Sequence, residues 1–141
     1  MDRHLLEAYR RAEYRVADRG YTFTLRIDAL SWPLRAVHAS FGVDRSAYIT
    51  AWNPGSVPTD RAINEAAQAS LTADVEALGL HWLRGEGVDP SGSWPGEPSL
   101  LVLGLREPEA RALAARYGQV AILYASSDAT PRLLVTGPLQ A

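Results

Sequence analysis

The chain has 141 residues, of which 47% are hydrophobic and 21% charged, a composition that suits one domain with a buried core. It contains no cysteine, and its 14 basic residues are all arginine. Disulfides, thiolate metal sites, lysine Schiff-base chemistry and a P-loop are therefore excluded. The formal net charge of -2 disfavours a nucleic-acid interface.

The first third of the chain is predicted to form a helix, a hairpin and a second helix. Residues 3–13 carry apolar side chains at helical spacing. Residues 14–17 and 21–27 flank a turn, and the second segment alternates apolar and polar side chains, which indicates two paired strands. Residues 31–41 form the second helix, since Ser31 can cap its N-terminus.

The middle of the chain is predicted to contain a strand, the longest helix and another strand. Residues 46–52 are largely apolar and end at a loop rich in proline and glycine. Residues 60–78 form the longest helix. Its buried stripe is predicted to consist of Ile63, Ala66, Ala67, Leu71, Val75 and Leu78. Residues 80–84 form a strand that runs into Gly85-Glu86-Gly87.

The last third of the chain completes the fold. Residues 100–103 are continuously apolar, which predicts a central strand covered on both faces. Residues 107–117 form a helix, and residues 119–125 and 132–135 form strands, the last of them at an edge. This order favours an α+β fold in residues 1–141, with one mixed, mostly antiparallel sheet of about six to seven strands and about four helices packed on it.

The segment that follows the strand at 46–52 is the first candidate site. Trp52 and Asn53 lead into a rigid loop and then a helix N-terminus, whose free backbone N–H groups can hold an anionic or polar group. Ser56 lies in that loop, and Asn64 can reach back toward it from the helix. The alternative is that Asn53 and Asn64 only hold the loop through hydrogen bonds to the backbone.

The region 85–99 is the second candidate site. Glu86 lies between two glycines, and Glu97 follows across a loop. If the flanking strands pair as a hairpin, the two carboxylates lie within reach of each other and suit acid–base catalysis or a hard metal. Trp94 and Ser99 offer an aromatic ring and a hydroxyl beside them. The alternative is that Glu97 holds the loop while Glu86 is solvated.

Metal and cofactor chemistry finds no support in the sequence. His4, His38 and His81 do not have the spacing of metal ligands. Hydroxyl groups are the remaining nucleophiles, and no Gly-x-Ser-x-Gly elbow surrounds a serine. We therefore predict no bound metal and no cofactor.

The four tryptophans divide into two groups. Trp32 and Trp82 lie in predicted regular elements and are expected in the core. Trp52 and Trp94 lie in segments rich in glycine and proline, where a tryptophan can line a ligand pocket or anchor a partner.

Several of these residues together resemble a known family. The segments that carry the resemblance are Ile49-Thr50-Ala51-Trp52-Asn53-Pro54, Asn64, Gly85-Glu86-Gly87, Trp94, Glu97-Pro98-Ser99 and Tyr117-Gly118-Gln119. The combination is similar to domain-of-unknown-function family 3293, a bacterial family of small uncharacterised proteins. The resemblance implies a domain over about residues 14–134, preceded by an N-terminal helix. It also implies a shared site built from Asn53, Asn64, Glu97 and Gln119, but no particular activity.

Two classes of function fit these observations. The first is a small polar or anionic ligand-binding domain, with its site at the loop 52–59 and the region 85–99. Its ligand-binding residues are predicted to be Trp52, Asn53, Ser56, Asn64, Trp94, Ser99 and Gln119, and its candidate general bases, should it be an enzyme, are Glu97 and Glu86. The second is a non-catalytic protein–protein interaction or regulatory module, which the small size of the chain favours.

Two further expectations concern partners and compartment. Arg3, Arg10, Arg11 and Arg15 offer a weak case for nucleic-acid binding, which the net negative charge opposes. No apolar run approaches the roughly 20 residues of a membrane span, and the charged start Met1-Asp2-Arg3-His4 is unlike a signal peptide. The sequence therefore predicts a cytoplasmic protein without a membrane partner.

Overall fold

The computed structural model describes residues 3–137, and its elements follow the predicted order. Four α-helices lie within that range: α1 (Arg3–Arg11), α2 (Trp32–Ser40), α3 (Arg61–Ala77) and α4 (Glu107–Arg116). The strands of the same range are β1 (Glu13–Asp18), β2 (Tyr21–Leu25), β3 (Ser46–Ile49), β4 (Trp82–Val88), β5 (Glu97–Leu103), β6 (Ala121–Ala125) and β7 (Arg132–Val135). A short 3₁₀ turn, Pro54–Ser56, precedes α3.

The seven strands form one curled sheet in the order β2-β1-β4-β5-β3-β6-β7. Each neighbouring pair among the described strands is antiparallel. The predicted α+β class is confirmed, as are the central place of β5 and the edge position of β7. The sheet is wholly antiparallel where a mixed one was expected, because the consecutive strands that run in the same direction, such as β3 and β4 or β5 and β6, are not neighbours in the sheet.

Helices cover both faces of the sheet. This explains why residues 100–103 of β5 are continuously apolar. Leu100 and Val102 pack toward α3 and α4, whereas Leu101 and Leu103 pack toward α2. Alternate residues of a strand point to opposite faces, so a strand buried on both faces needs apolar residues at every position. Each fully buried leucine contributes about 1.5–3 kcal/mol relative to an exposed one.

Helix α2 begins as the sequence predicts. The Ser31 side chain accepts a hydrogen bond from the backbone N–H of Leu34 at 3.1 Å, and Pro33 occupies the first turn. A serine cap of this kind stabilises a helix by about 1 kcal/mol, because it satisfies an N–H that has no partner within the helix.

The apolar stripe predicted for α3 is partly wrong. Leu71 and Val75 are buried, but Ile63 is 60% exposed and Leu78 is 48% exposed. Asn64 is buried at the N-terminal end of the helix. The reason is that the first turn of α3 packs on the polar loop that precedes it, so the inward position there is an amide and not a hydrocarbon.

Three strand boundaries differ from the prediction and position the candidate site, one of them the start of β5, which lies at Glu97 and not at residue 100. Strand β3 ends at Ile49, so Trp52 lies in the following loop. Strand β4 runs on through Gly85-Glu86-Gly87 to Val88, because these residues pair with both β1 and β5. Strands β3 and β4 therefore end, and β1, β5 and β6 begin, at the same end of the sheet.

Among residues 3–137, no helix is both long and apolar enough to cross a membrane.

Candidate functional site

A cavity of about 710 Å³ lies at this end of the sheet. The structure brings to it every residue that the sequence singled out as a candidate. These residues are Trp52, Asn53, Ser56, Asn64, Glu86, Trp94, Glu97, Ser99 and Gln119. They come from the loop after β3, from α3, from β4, β5 and the loop that joins them, and from the segment before β6. The two candidate regions thus form parts of one cavity.

The sequence analysis missed the aromatic and helical part of the lining. Tyr9 and Leu5 of α1, Tyr14 of β1 and Tyr48 of β3 also face the cavity. Helix α1 lies along one side of it through its apolar face, although none of its residues is fully buried. The available signal was that Tyr9 and Tyr14 lie on otherwise apolar faces. Only the strand pairing shows that they lie beside the candidate loops.

The loop after β3 is held by two asparagines. Asn53 adopts a left-handed backbone conformation with φ of 47°, which asparagine tolerates better than most residues. Its N–H donates to Asn64 Oδ1 at 2.9 Å, and its Oδ1 accepts from Asn64 Nδ2 at 2.8 Å. Asn64 Nδ2 also donates to the carbonyl of Thr59 at 3.2 Å. The amide of Asn64 is therefore engaged by the loop on both its oxygen and its nitrogen.

Gln119 supports the same loop from the other side. Its Nε2 donates to the carbonyls of Trp52 and Tyr117, each at 3.2 Å. The neighbouring Gly118 has φ of 67° and packs so closely on Pro54 that a Cβ there would lie 2.9 Å from the proline Cβ. Glycine is thus required at 118 both for backbone conformation and for space.

Glu97 is the carboxylate at the centre of the site. It begins β5, and its Oε2 accepts a hydrogen bond from Asn53 Nδ2 at 2.9 Å. Burial raises the pKa of Glu97 above its ordinary value, and the hydrogen bond from Asn53 opposes that rise. The side chain is thus a partly desolvated acid that borders the cavity and can exchange a proton or accept a donor from a ligand.

The two candidate carboxylates do not form the pair that the hairpin suggested. The register places Gly87 opposite Glu97, and Pro98 opposite Glu86. Glu86 and Glu97 therefore leave the sheet on opposite faces. Glu86 is exposed and packs over Gly96, where a Cβ would lie 2.6 Å from the Glu86 Cδ. Burial, and not repulsion from Glu86, is what raises the pKa of Glu97.

The start of α3 is less suited to an anion than its sequence suggested. The backbone N–H of Thr59 donates to Asn53 Oδ1 at 3.0 Å, and Asp60 occupies the cap position. A negative side chain at a helix N-terminus already interacts with the positive end of the helix dipole. Ser56 also has a protein partner, since its Oγ lies 2.8 Å from the hydroxyl of Tyr9.

The tyrosines form a connected wall of the cavity. The hydroxyl of Tyr14 donates to the carbonyl of Tyr9 at 2.6 Å, and the rings of Tyr14 and Tyr48 meet edge to face with centroids 5.5 Å apart. Burial raises the pKa of Tyr9 and Tyr14, and the charge of Glu97 raises both further. Glu97 therefore lies in the electrostatic neighbourhood of both tyrosines.

Other predicted residues lie away from this cavity. Trp32 is 66% exposed, so its predicted place in the core is wrong: it lies in the first turn of α2 on the solvent side, stacked with Arg35. Trp82 packs against the core as expected. His38 and Ser46 hydrogen bond to each other at 2.8 Å within the core, where burial lowers the pKa of His38. Among the described residues that line the cavity there is no histidine.

Comparison with known proteins identifies a family but no characterised relative. The model of the family described as Protein of unknown function (DUF3293) matches residues 49–122, just over half of the chain. The matched range contains Trp52, Asn53, Asn64, Glu97 and Gln119. No curated protein and no solved structure gives a significant match.

Proposed function

The chain belongs to the DUF3293 family, and we propose that it is a binding protein for a small molecule with an apolar body and a polar end. The observation that carries this proposal is the cavity of about 710 Å³ on which the candidate residues converge. Ligand pockets are commonly about 300–1,000 Å³ and mostly apolar, with a few placed polar groups. This cavity has that character.

The lining separates into an apolar part and a polar part. The apolar part comes from α1 and the sheet, and includes Leu5, Leu123 and Leu133. The polar part lies around Asn53 and Glu97 at the end of the sheet. Such a division suits a ligand whose body packs on the apolar side while its polar group reaches Glu97.

A glycine in β4 supports the view that the cavity is a feature of the fold and not a packing defect. Gly87 lines the cavity, and a Cβ there would meet nothing closer than the carbonyl oxygen of Glu97 at 4.0 Å. Its backbone φ lies outside the left-handed region. Neither conformation nor crowding therefore requires glycine at 87, whereas an open cavity does benefit from it.

Asn64 and Gln119 serve this function by position. Their amides hold the loop that carries Trp52 and Asn53, as the hydrogen bonds above describe. We assign contact with the ligand to Trp52, Trp94 and Glu97, and assign to the two amides the placement of that loop. The sequence predicted a small polar or anionic ligand. We propose a polar ligand that is not an anion, because carboxylates border the cavity.

A thermal-shift screen with a blocked cavity tests the proposal. The compounds are nucleotides, sugar phosphates, amino acids and aromatic amines, measured on wild type, Gly87→Leu and Thr24→Leu. Gly87→Leu adds a side chain at a position that lines the cavity beside Glu97, while Thr24→Leu places the same side chain on an exposed position of β2. A tight ligand raises the melting temperature of a protein by mass action.

We expect at least one compound to raise the melting temperature of wild type and of Thr24→Leu but not of Gly87→Leu. Equal shifts in a folded Gly87→Leu protein would place binding outside the cavity. The absence of a shift from any compound in wild type would also count against the proposed function.

A further inference from the structure

The charged side chains that line the cavity favour a cationic ligand. They are Glu86, Glu97 and Arg61 among the described residues. The guanidinium of Arg61 is exposed and already paired, with its Nε 2.7 Å from Glu65 Oε1. Glu86 and Glu97 therefore both border the cavity, from opposite faces of the sheet, and the cation that lines it among residues 3–137, Arg61, is already paired with Glu65. A cavity with this charge attracts a positive ligand and repels a negative one.

Glu97 has the geometry of a carboxylate with room for a donor. Its Oε2 is taken by Asn53 Nδ2. Within residues 3–137, Asn53 is the donor that reaches the carboxylate, and no arginine forms an ion pair with it. The other oxygen is accessible, since the described residues contain no buried side-chain oxygen without a partner. A ligand N–H in the cavity can supply the missing donor.

Aromatic rings surround the same space. The cavity is lined by Tyr9, Tyr14, Tyr48, Trp52 and Trp94. The face of an aromatic ring attracts a cation within about 6 Å of its centroid, and tryptophan is the strongest of the aromatic side chains. Aromatic rings combined with a desolvated carboxylate are the chemistry by which proteins recognise organic ammonium groups.

We propose that this cavity binds an organic ammonium ion, with the ammonium at Glu97 and an apolar or aromatic body among the tyrosines and tryptophans. The inference rests on the proposed function and specifies the ligand class for the same site. It also accounts for the lack of a fixed counter-charge at Glu97 among residues 3–137, because the ligand provides it. Three members of one chemical series separate the possibilities: phenethylammonium, 2-phenylethanol and 3-phenylpropionate, which share a body and differ in charge.

The experiment measures the affinity of each probe by isothermal titration calorimetry at low ionic strength and neutral pH. The proteins are wild type, the charge variants Glu97→Gln and Glu76→Gln, and Gly87→Leu as the variant that obstructs the cavity. Glutamine at 97 keeps an oxygen for the hydrogen bond from Asn53, and Glu76 is an exposed carboxylate of α3 outside the lining. The two charge variants change net charge equally, so a general electrostatic effect appears in both.

We expect wild type to bind phenethylammonium about tenfold or more tightly than 2-phenylethanol, and 3-phenylpropionate most weakly. Glu97→Gln should weaken phenethylammonium by about tenfold while changing 2-phenylethanol less than about twofold. Glu76→Gln should leave all three affinities close to those of wild type. The preference of wild type for phenethylammonium over 2-phenylethanol should also grow as pH rises and Glu97 ionises. Glu97→Gln should show no such growth.

Two other results separate the inference from the proposed function. If the three probes bind equally, or the carboxylate binds most tightly, and Gly87→Leu abolishes their binding, the ammonium inference is overturned and the cavity remains a binding site. If wild type binds none of the probes at millimolar concentration, the ammonium inference is overturned, and the thermal-shift screen with Gly87→Leu decides the proposed function separately.

Discussion

Two glycines of β4 occupy the same face of the sheet but have different surroundings. A Cβ at Gly85 would lie 2.5 Å from the carbonyl oxygen of Arg15 and 2.6 Å from the hydroxyl of Tyr48. That hydroxyl is fixed, because it donates to the same carbonyl at 2.7 Å. A Cβ at Gly87 would have open space around it. Gly85 is thus needed for close packing of β1, β3 and β4, whereas Gly87 is not.

Alanine at these two positions gives the first prediction. Gly85→Ala should lower the free energy of unfolding by about 1–3 kcal/mol, since overpacking forces Tyr48 or β1 to move. Gly87→Ala should leave it unchanged or raise it by up to about 1 kcal/mol, because alanine restricts the unfolded chain. Urea denaturation of the two variants measures the difference. Equal effects would contradict the packing described for Tyr48.

Asn64 gives the second prediction, at the same scale. Asn64→Ala removes the acceptor of the Asn53 N–H and the donor to the Thr59 carbonyl, leaving loop groups without partners. The free energy of unfolding should fall by about 1–3 kcal/mol. The adjacent Glu65→Ala, on the exposed side of α3, should change it by less than about 0.5 kcal/mol. Urea denaturation compares the two, and similar values would show that the loop does not depend on Asn64.

At the scale of elements, α1 differs from the other helices. None of its nine residues is buried, whereas α2, α3 and α4 each contain buried residues. A hydrogen bond between Tyr9 and Ser56 is one of its links to the rest of the protein. A helix of this length is not stable by itself in water, because helix nucleation is unfavourable. It depends on a small apolar contact at the edge of the cavity, so it is the helix best placed to open.

Hydrogen exchange tests this difference. The amides of α1 should exchange at least about a hundredfold faster than those of β5, which opens only when the sheet unfolds. Helix α3, with Leu71 and Val75 buried, serves as the internal control and should resemble β5 more than α1. Mass-spectrometric exchange on the intact protein provides the measurement. Equal protection of α1 and β5 would show that α1 is as firmly anchored as the core.

Local patterns predict the elements well where burial is simple. The continuous run at 100–103 identified the central strand, and Ser31 identified the start of α2. Periodicity failed at the first turn of α3 and at Trp32, because neither packs on the sheet. The predicted strand also ended too early, at residue 84, because Gly85 and Gly87 lower the local strand propensity. Pairing of this segment with both β1 and β5 outweighs that low propensity.

At the scale of the whole molecule, the site depends on register, which the sequence does not display. The loop residues Trp52 and Asn53 were recognisable as candidates, since they interrupt a strand with unusual chemistry. Their meeting with Tyr9 and Tyr14 requires β1 to pair with β4, a contact between distant parts of the chain. Register also decided that Gly87 and not Glu86 faces Glu97. A shift by one residue would have reversed that arrangement.

One buried group and one half-buried group, His38 and Glu97, give the whole molecule opposing responses to pH. Burial lowers the pKa of His38 below its ordinary value of 6.5, so the unfolded chain takes up a proton before the folded one. Stability is therefore lost as pH falls through 6.5. Burial raises the pKa of Glu97 above its ordinary value of 4.5, so its ionisation costs stability as pH rises from 4.5 through the raised pKa.

The last prediction separates these two responses by urea denaturation between pH 4 and pH 8. Relative to wild type, Glu97→Gln should be more stable near neutral pH, and the difference should shrink as pH falls through the raised pKa of Glu97 and below 4.5, where Glu97 becomes protonated in both states. Below pH 6.5, wild type should instead lose stability relative to His38→Gln, because only wild type loses the contribution of a neutral imidazole. Curves that run parallel to wild type at all pH values would show that neither group is desolvated in the folded protein.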